Sequence, residues 1–378
     1  MRDMVEIGMG RTARRTYELG DINIVPSRRT RSSKDVSTAW QLDAYRFEIP
    51  VLAHPTDALV SPEFAIELGR LGGLGILNGE GLLGRHADVE ARIAEVVDIA
   101  SKEPDPSASV RLLQQLHSAP IDLDLLGAAV ARIREAGVTT AVRVSPQNAQ
   151  ALTPTLVAAG IDLLVIQGTI ISAERVASDG EPLNLKTFIS ELDVPVVAGG
   201  VLDHRTALHL MRTGAAGVIV GYGSTMGVTT SDEVLGISVP MATAIADAAA
   251  ARREYLDETG GRYVHVLADG DIHTSGELAK AIACGADAVV LGTPLAAAAE
   301  ALGGGWFWPA AAAHPSLPRG ALLQVADEER PSLEQVLNGP SDDPFGALNL
   351  VGGLRRSMAK AGYCDLKEFQ KVGLTVGV

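Results

Sequence analysis

The residues with the clearest chemical potential sit in turns that follow short apolar runs. From Tyr263 to Pro294 the chain reads YVHVLADGDIHTSGELAKAIACGADAVVLGTP: a strand, a glycine turn, an amphipathic helix, a glycine, a second strand and another glycine turn. Gly270 and the pair Gly292-Thr293 would present backbone amides at the ends of two neighbouring strands, facing the same way, which suits a phosphate. Each glycine taken singly is equally well explained as a tight turn that the fold itself requires; gathered in one cradle they favour a ligand. Two cysteines, Cys284 and Cys364, are too few for a disulfide framework or a four-cysteine zinc site. His54, His204, His265 and His273 lack metal-ligand spacing and read as surface or hydrogen-bonded side chains. Trp306-Phe307-Trp308 either stacks on a planar ligand or plugs the mouth of the domain.

Those turns need a scaffold, and the chain repeats one. A helix, then a glycine, then an apolar strand recurs at Glu135-Ala-Gly137, Ala158-Ala-Gly160, Arg212-Thr-Gly214 and Ala283-Cys-Gly285. Such self-similarity marks a repeated unit. Adding strands near Val51, Gly72 to Leu77, Val194 to Val197 and Val264 to Leu267 gives eight parallel strands between residues 50 and 292, which is the (β/α)8 barrel of the α/β class. The runner-up is a doubly wound open sheet. It would open on a glycine-rich dinucleotide turn, and here Ala53-His54-Pro55-Thr56 follows the first strand instead. The expected organisation is an N-terminal arm over 1–48 and a barrel over 49–302. A helical insertion spans about 85–137, with a loop at Ser101 to Ser109. A flap and C-terminal helices, near Leu333 and from Gly353 to Val372, fill 303–378. The Arg-rich start of the arm reads as packing across the barrel floor.

Composition narrows the function. The 378 residues carry a net charge of −14 and 47% hydrophobic residues, ample for a large core but wrong for nucleic acid or an anionic membrane, which need a dense positive surface. With few cysteines, no membrane-length apolar run and no signal-peptide pattern, a cytoplasmic location is expected.

Three stretches together carry a resemblance: VVAGGVLDHRTALHLMRTGAAGVIVGYGSTMGVTTSDEVLGISVPMATAI from Val196, VLADGDIHTSGELAKAIACGADAVVLG from Val266, and GGLRRSMAKAG from Gly352. In order and spacing they resemble the IMP dehydrogenase/GMP reductase family, as do YELGDINIVPS from Tyr17 and the turn Pro55-Thr56-Asp57. The absence of the family's CBS pair points to the short IMP dehydrogenase-related branch of actinobacteria and cyanobacteria. The resemblance implies an NAD- or NADP-dependent oxidoreductase acting on a purine mononucleotide, assembled as a homotetramer. It also implies roles residue by residue. Asp269 and Gly270 would meet ribose and phosphate, and Gly292 and Thr293 would hold phosphate. Gly221 would lie toward the cofactor. The carbonyls of Gly221 and Gly223 would frame a potassium ion, and Thr230 stands at the catalytic threonine.

Several positions depart from the pattern. The family's nucleophilic cysteine, which attacks C2 of the purine to form a thioimidate, corresponds to Val228 in GSTMGVTTS from Gly223 to Ser231. A branched alkyl group has no lone pair to donate, so that covalent chemistry is lost. The phosphate-binding serine is Met226, the dinucleotide-facing aspartate is Gln167, the asparagine after strand five is Gly200, and Asp271 adds a carboxylate near the phosphate amides. No Arg-Tyr pair in the flap supplies a base. The second expectation is therefore a catalytically inactive purine-nucleotide-binding barrel that regulates, or forms a hetero-oligomer with, an active paralogue.

Overall fold

The computed structural model describes residues 4–103, 105–168, 183–223, 232–309, 321–327 and 329–377. Eight parallel strands close into a barrel: β1 Val51–Ala53, β2 Leu74–Asn78, β3 Ala141–Val144, β4 Leu163–Gln167, β5 Val196–Val201, β6 Gly217–Gly221, β7 His265–Asp269 and β8 Ala288–Leu291. Closure comes from β8 pairing with β1, Val289 opposite Val51. Nearly every strand residue is buried on both faces, as strands covered by an outer ring of helices must be, and the Val-, Ile- and Leu-rich runs supply that burial. Helices start where the sequence supplies caps. The Ser61 hydroxyl accepts the Phe64 amide at 3.0 Å before Pro62–Arg70, and Thr274 with Glu277 forms a capping box before Ser275–Ala283.

A recurring aspartate ties strand starts together. Asp162, just before β4, accepts the Thr140 amide at 2.8 Å, and Asp287, just before β8, accepts the Val266 amide at 2.8 Å. Asp287 does more. Its carboxylate, 2% exposed, also binds Arg252 at 2.8 Å and Lys367 at 2.6 Å, and accepts from the Tyr263 hydroxyl at 2.8 Å. Burial alone would raise its pKa, but the two cations bring it down to about 2. Lys367 belongs to the short C-terminal helix Leu366–Phe369, so this carboxylate fastens the chain's end to the barrel floor.

The arm closes that floor. Trp40–Leu42 pairs antiparallel with Tyr45–Phe47, and the fully buried Leu42 joins Leu52, Leu74, Ile76, Val197 and Ile219 around the barrel axis. Leu374–Val376 pairs with Ile22–Ile24, bringing the two ends of the chain together. The C-terminal helical stretch breaks in two because Gly362 takes a left-handed φ of 90° after Leu350–Ala361. In the insertion, helices Val89–Lys102 and Ser107–His117 leave a shorter connection than the expected Ser101 to Ser109 loop. Their apolar faces build a second small core of Ile93, Val96, Leu113 and Leu116 around Trp308. Trp308 and Phe307 are fully buried there and against the barrel, so neither ring is offered to a ligand. Among the described residues no helix is long and apolar enough to cross a membrane.

Candidate functional site

The glycines that follow strands lie together at the C-terminal rim: Gly200 within the end of β5, Gly221 and Gly223 at the end of β6, Gly270 after β7 and Gly292 after β8. This is the face on which barrel enzymes carry their sites. A cavity of about 250 Å³ opens there, lined among others by Gly221, Tyr222, Gly223, Asp269, Gly270 and Asp271. Glu18 from the arm, Asp232 and Glu277 also face it. Burial, with the Asp232 and Asp271 carboxylates nearby, raises the Tyr222 phenol above its ordinary pKa. So acidic a lining repels a phosphate dianion and suits hydroxyl and N–H donors.

Asp269 ends β7 and is 1% exposed. Its Oδ2 accepts from Gln167 Nε2 at 2.6 Å, and His54 Nδ1 lies 3.2 and 3.3 Å from the two oxygens. Three strand ends, β1, β4 and β7, thus meet in one buried polar triad. It continues sideways through the Gln167 carbonyl, which accepts from Arg143 Nη2 at 2.7 Å. Arg143 on β3 pairs with Glu80 at 3.0 Å, and Glu80 also accepts from the Ser145 hydroxyl at 2.6 Å and Asn148 at 2.7 Å. Burial raises the Glu80 pKa, but Arg143, Ser145 and Asn148 outweigh it and hold the carboxyl below its usual range.

Each turn glycine has a packing reason. A Cβ on Gly221, whose φ is 88°, would stand 2.1 Å from the Asp269 carbonyl oxygen, and one on Gly223, at φ 91°, would stand 2.7 Å from His54 Cε1. On Gly292 it would meet Phe307 Cζ at 2.8 Å. Gly292→Ala should therefore lower stability by about 1–3 kcal/mol through overpacking. Urea denaturation checks this, and an unchanged midpoint would show that the Phe307 ring gives way freely.

Beside Gly292, the Thr293 hydroxyl lies 3.0 Å from His273 Nδ1, and His273 Nε2 lies 3.8 Å from Asp271. The amides of His273 and Thr274 donate to Glu277 Oε2 at 2.8 and 3.0 Å. The capping box thus consumes amides that a phosphate at the β7 turn would use. Thr230, Val228 and Met226 lie outside the described residues. Neither thiol approaches the rim. Cys284 follows Ser275–Ala283 on the floor side of β8, where burial pushes its pKa up to about 12, and the Cys364 carbonyl accepts the Ser37 amide of the arm. No group of His, Cys, Asp and Glu among the described residues is arranged to hold a metal ion.

Asp269 stands out in the sequence, but its partners do not. His54 reads there as a surface or hydrogen-bonded histidine, and the structure buries it against Asp269. The Glu80–Arg143 pair was not anticipated at all. Its signal was available: an arginine inside the buried strand AVRV must find a counter-charge.

A model described as the IMP dehydrogenase/GMP reductase domain matches residues 16–312. A Mycolicibacterium smegmatis protein named an uncharacterized oxidoreductase is 92% identical over 374 residues, covering 99% of this chain and 100% of that protein. An inosine-5′-monophosphate dehydrogenase of Aquifex aeolicus is 32% identical over 230 residues, covering 57% of this chain and 44% of that protein. A crystal structure of an IMP dehydrogenase/GMP reductase-like protein from Corynebacterium glutamicum superposes with a TM-score of 0.93 at 60% identity, covering 99% of this chain and 98% of that one. The domain match spans most of the chain and the solved relative follows it nearly end to end: the chain belongs to the IMP dehydrogenase/GMP reductase family.

Proposed function

We propose that this chain binds a purine 5′-monophosphate at the C-terminal rim without carrying out thioimidate oxidation, and that it regulates purine metabolism or assembles with an active paralogue. The observation that carries this reading is the absence of a thiol at the rim: Cys284 and Cys364 are the only cysteines, and both lie away from it. The acidic cavity would take the base through its N–H donors. The Thr293 hydroxyl, His273 and the amides of Gly292 and Thr293 would meet the phosphate. For a nicotinamide dinucleotide the fit is poor, because the Gln167 amide is turned inward to Asp269. A potassium ion at the carbonyls of Gly221 and Gly223 would draw on residues 224–231, outside the described set. The second reading is an oxidoreductase using the NAD or NADP that the resemblance implies; the names of the relatives favour its oxidoreductase part.

The test compares IMP and GMP with inosine and guanosine by thermal melting. A ligand at a hundred times its Kd stabilises by about 2.7 kcal/mol. The nucleotides should raise the melting temperature and the nucleosides should do so far less. Equal shifts would remove the phosphate cradle from the account.

A further inference from the structure

The strongest polar feature of the rim is one that ligand binding does not need. Asp269 reaches the wall of the cavity, yet its carboxylate is 1% exposed and carries two donors of the chain itself, Gln167 Nε2 at 2.6 Å and His54 Nδ1 at 3.2 and 3.3 Å. Both donors are themselves buried, His54 at 3% and Gln167 at 5% exposure. A carboxylate that holds a vicinal diol does so by accepting two hydroxyl donors, one on each oxygen. Here an amide and an imidazole occupy that position from within.

Resting on the nucleotide reading above, we propose that His54 and Gln167 are internal stand-ins for sugar hydroxyls, so that this barrel selects its ligand without reading the ribose diol. His54 is the more consequential of the two. Its ring fills the space between Gly223, whose added Cβ would touch Cε1 at 2.7 Å, and Phe307, 6.2 Å away between ring centroids. Gly223 and Asp269 both line the cavity, and the imidazole is packed behind Gly223 against the carboxylate. A ribose hydroxyl could bond the Asp269 carboxylate only in competition with these buried internal donors, and a displaced donor left unpaired in the interior costs its desolvation. The ligand class that follows is a purine monophosphate recognised by base and phosphate, ribo and deoxy forms alike. Shortening His54 should unmask the carboxylate and create a preference for ribose that the natural chain lacks.

The experiment is calorimetric titration of wild type, His54→Ser and Gln167→Ala with IMP and with 2′,3′-dideoxyinosine monophosphate. Wild type should bind the two within about twofold, and His54→Ser should prefer IMP by about tenfold or more. A tenfold preference for IMP in wild type, or no preference in either folded variant, overturns the proposal while leaving the nucleotide reading standing. Should wild type bind neither ligand, the nucleotide reading fails instead. A gain of IMP binding in His54→Ser would then still support the masked carboxylate, and silence in both folded variants would overturn it. The wild-type comparison needs no substitution, so a variant that fails to fold leaves that arm decisive.

Discussion

Purified protein supplied with IMP or GMP and either nicotinamide cofactor will leave the cofactor's absorbance unchanged, and Val228→Cys alone will not restore turnover. Thioimidate chemistry needs a thiolate within bonding reach of the purine C2. Val228, which the family resemblance places at the nucleophile, has none. The nearest substitute by chemistry, Cys284, is held on the floor side of the barrel with its pKa pushed up to about 12. At neutral pH that leaves roughly one thiolate in 10⁵. Installing a thiol at 228 addresses one deficit only. Gln167 is committed to Asp269, Asp271 adds negative charge beside the β7 turn, and the serine expected to hold phosphate is Met226. A displacement of about 1 Å in the reacting groups costs on the order of a hundredfold. Turnover that responds to position 228, or a purine adduct on either natural cysteine, would show that the nucleophile has been misplaced.

Replacing Asp287 with alanine should cost about 3–5 kcal/mol of stability, because it strands Arg252 in a buried site without its counter-charge and releases Lys367. The same cluster makes stability fall in acid. Asp287 has its pKa lowered to about 2, so its contribution is complete above the ordinary carboxylate range and is lost as pH falls through 2. His265 acts at higher pH. Burial, with Lys367 and Arg252 adding to it against the pull of Asp287, lowers its pKa to about 4. The unfolded chain binds that proton near pH 6.5 and the native chain does not, so stability declines as pH drops from 6.5 to 4 and levels off below. Between pH 7 and pH 5 the term is about 2 kcal/mol. Urea titrations of wild type and His265→Gln at the two pH values isolate it. Identical pH dependence in both proteins would place the buried proton elsewhere.

The eight strands were legible because each is a short, mostly apolar run, with glycine close by at every strand but the first, and because the helix-glycine-strand unit repeats. The aspartates that follow the glycines at 160 and 285 were visible only as part of that repeat. Their role as acceptors for a neighbouring strand's amide emerges once β3 and β4, and β7 and β8, lie side by side. The fate of Asp269 could not be read in the same way. Gln167 is 102 residues from it and His54 is 215, and only barrel closure, with β8 against β1, brings the three together. Periodicity finds the strand that carries a residue but says nothing of which distant strand end faces it. The aromatic run at 306–308 shows the limit on the other side. Phe307 joins the barrel core, but the burial of Trp308 depends on the two inserted helices, whose small core has no counterpart in the barrel pattern.

Native mass spectrometry of the protein incubated with IMP and NAD distinguishes a rim that holds a purine nucleotide non-covalently from one that bonds to it. A non-covalent site gives a species heavier by one nucleotide under native conditions and a return to the bare chain mass on denaturation. A purine mass that survives denaturation would establish covalent catalysis and overturn the non-covalent site. So would a native spectrum with no nucleotide-bound species at concentrations that saturate an active family member.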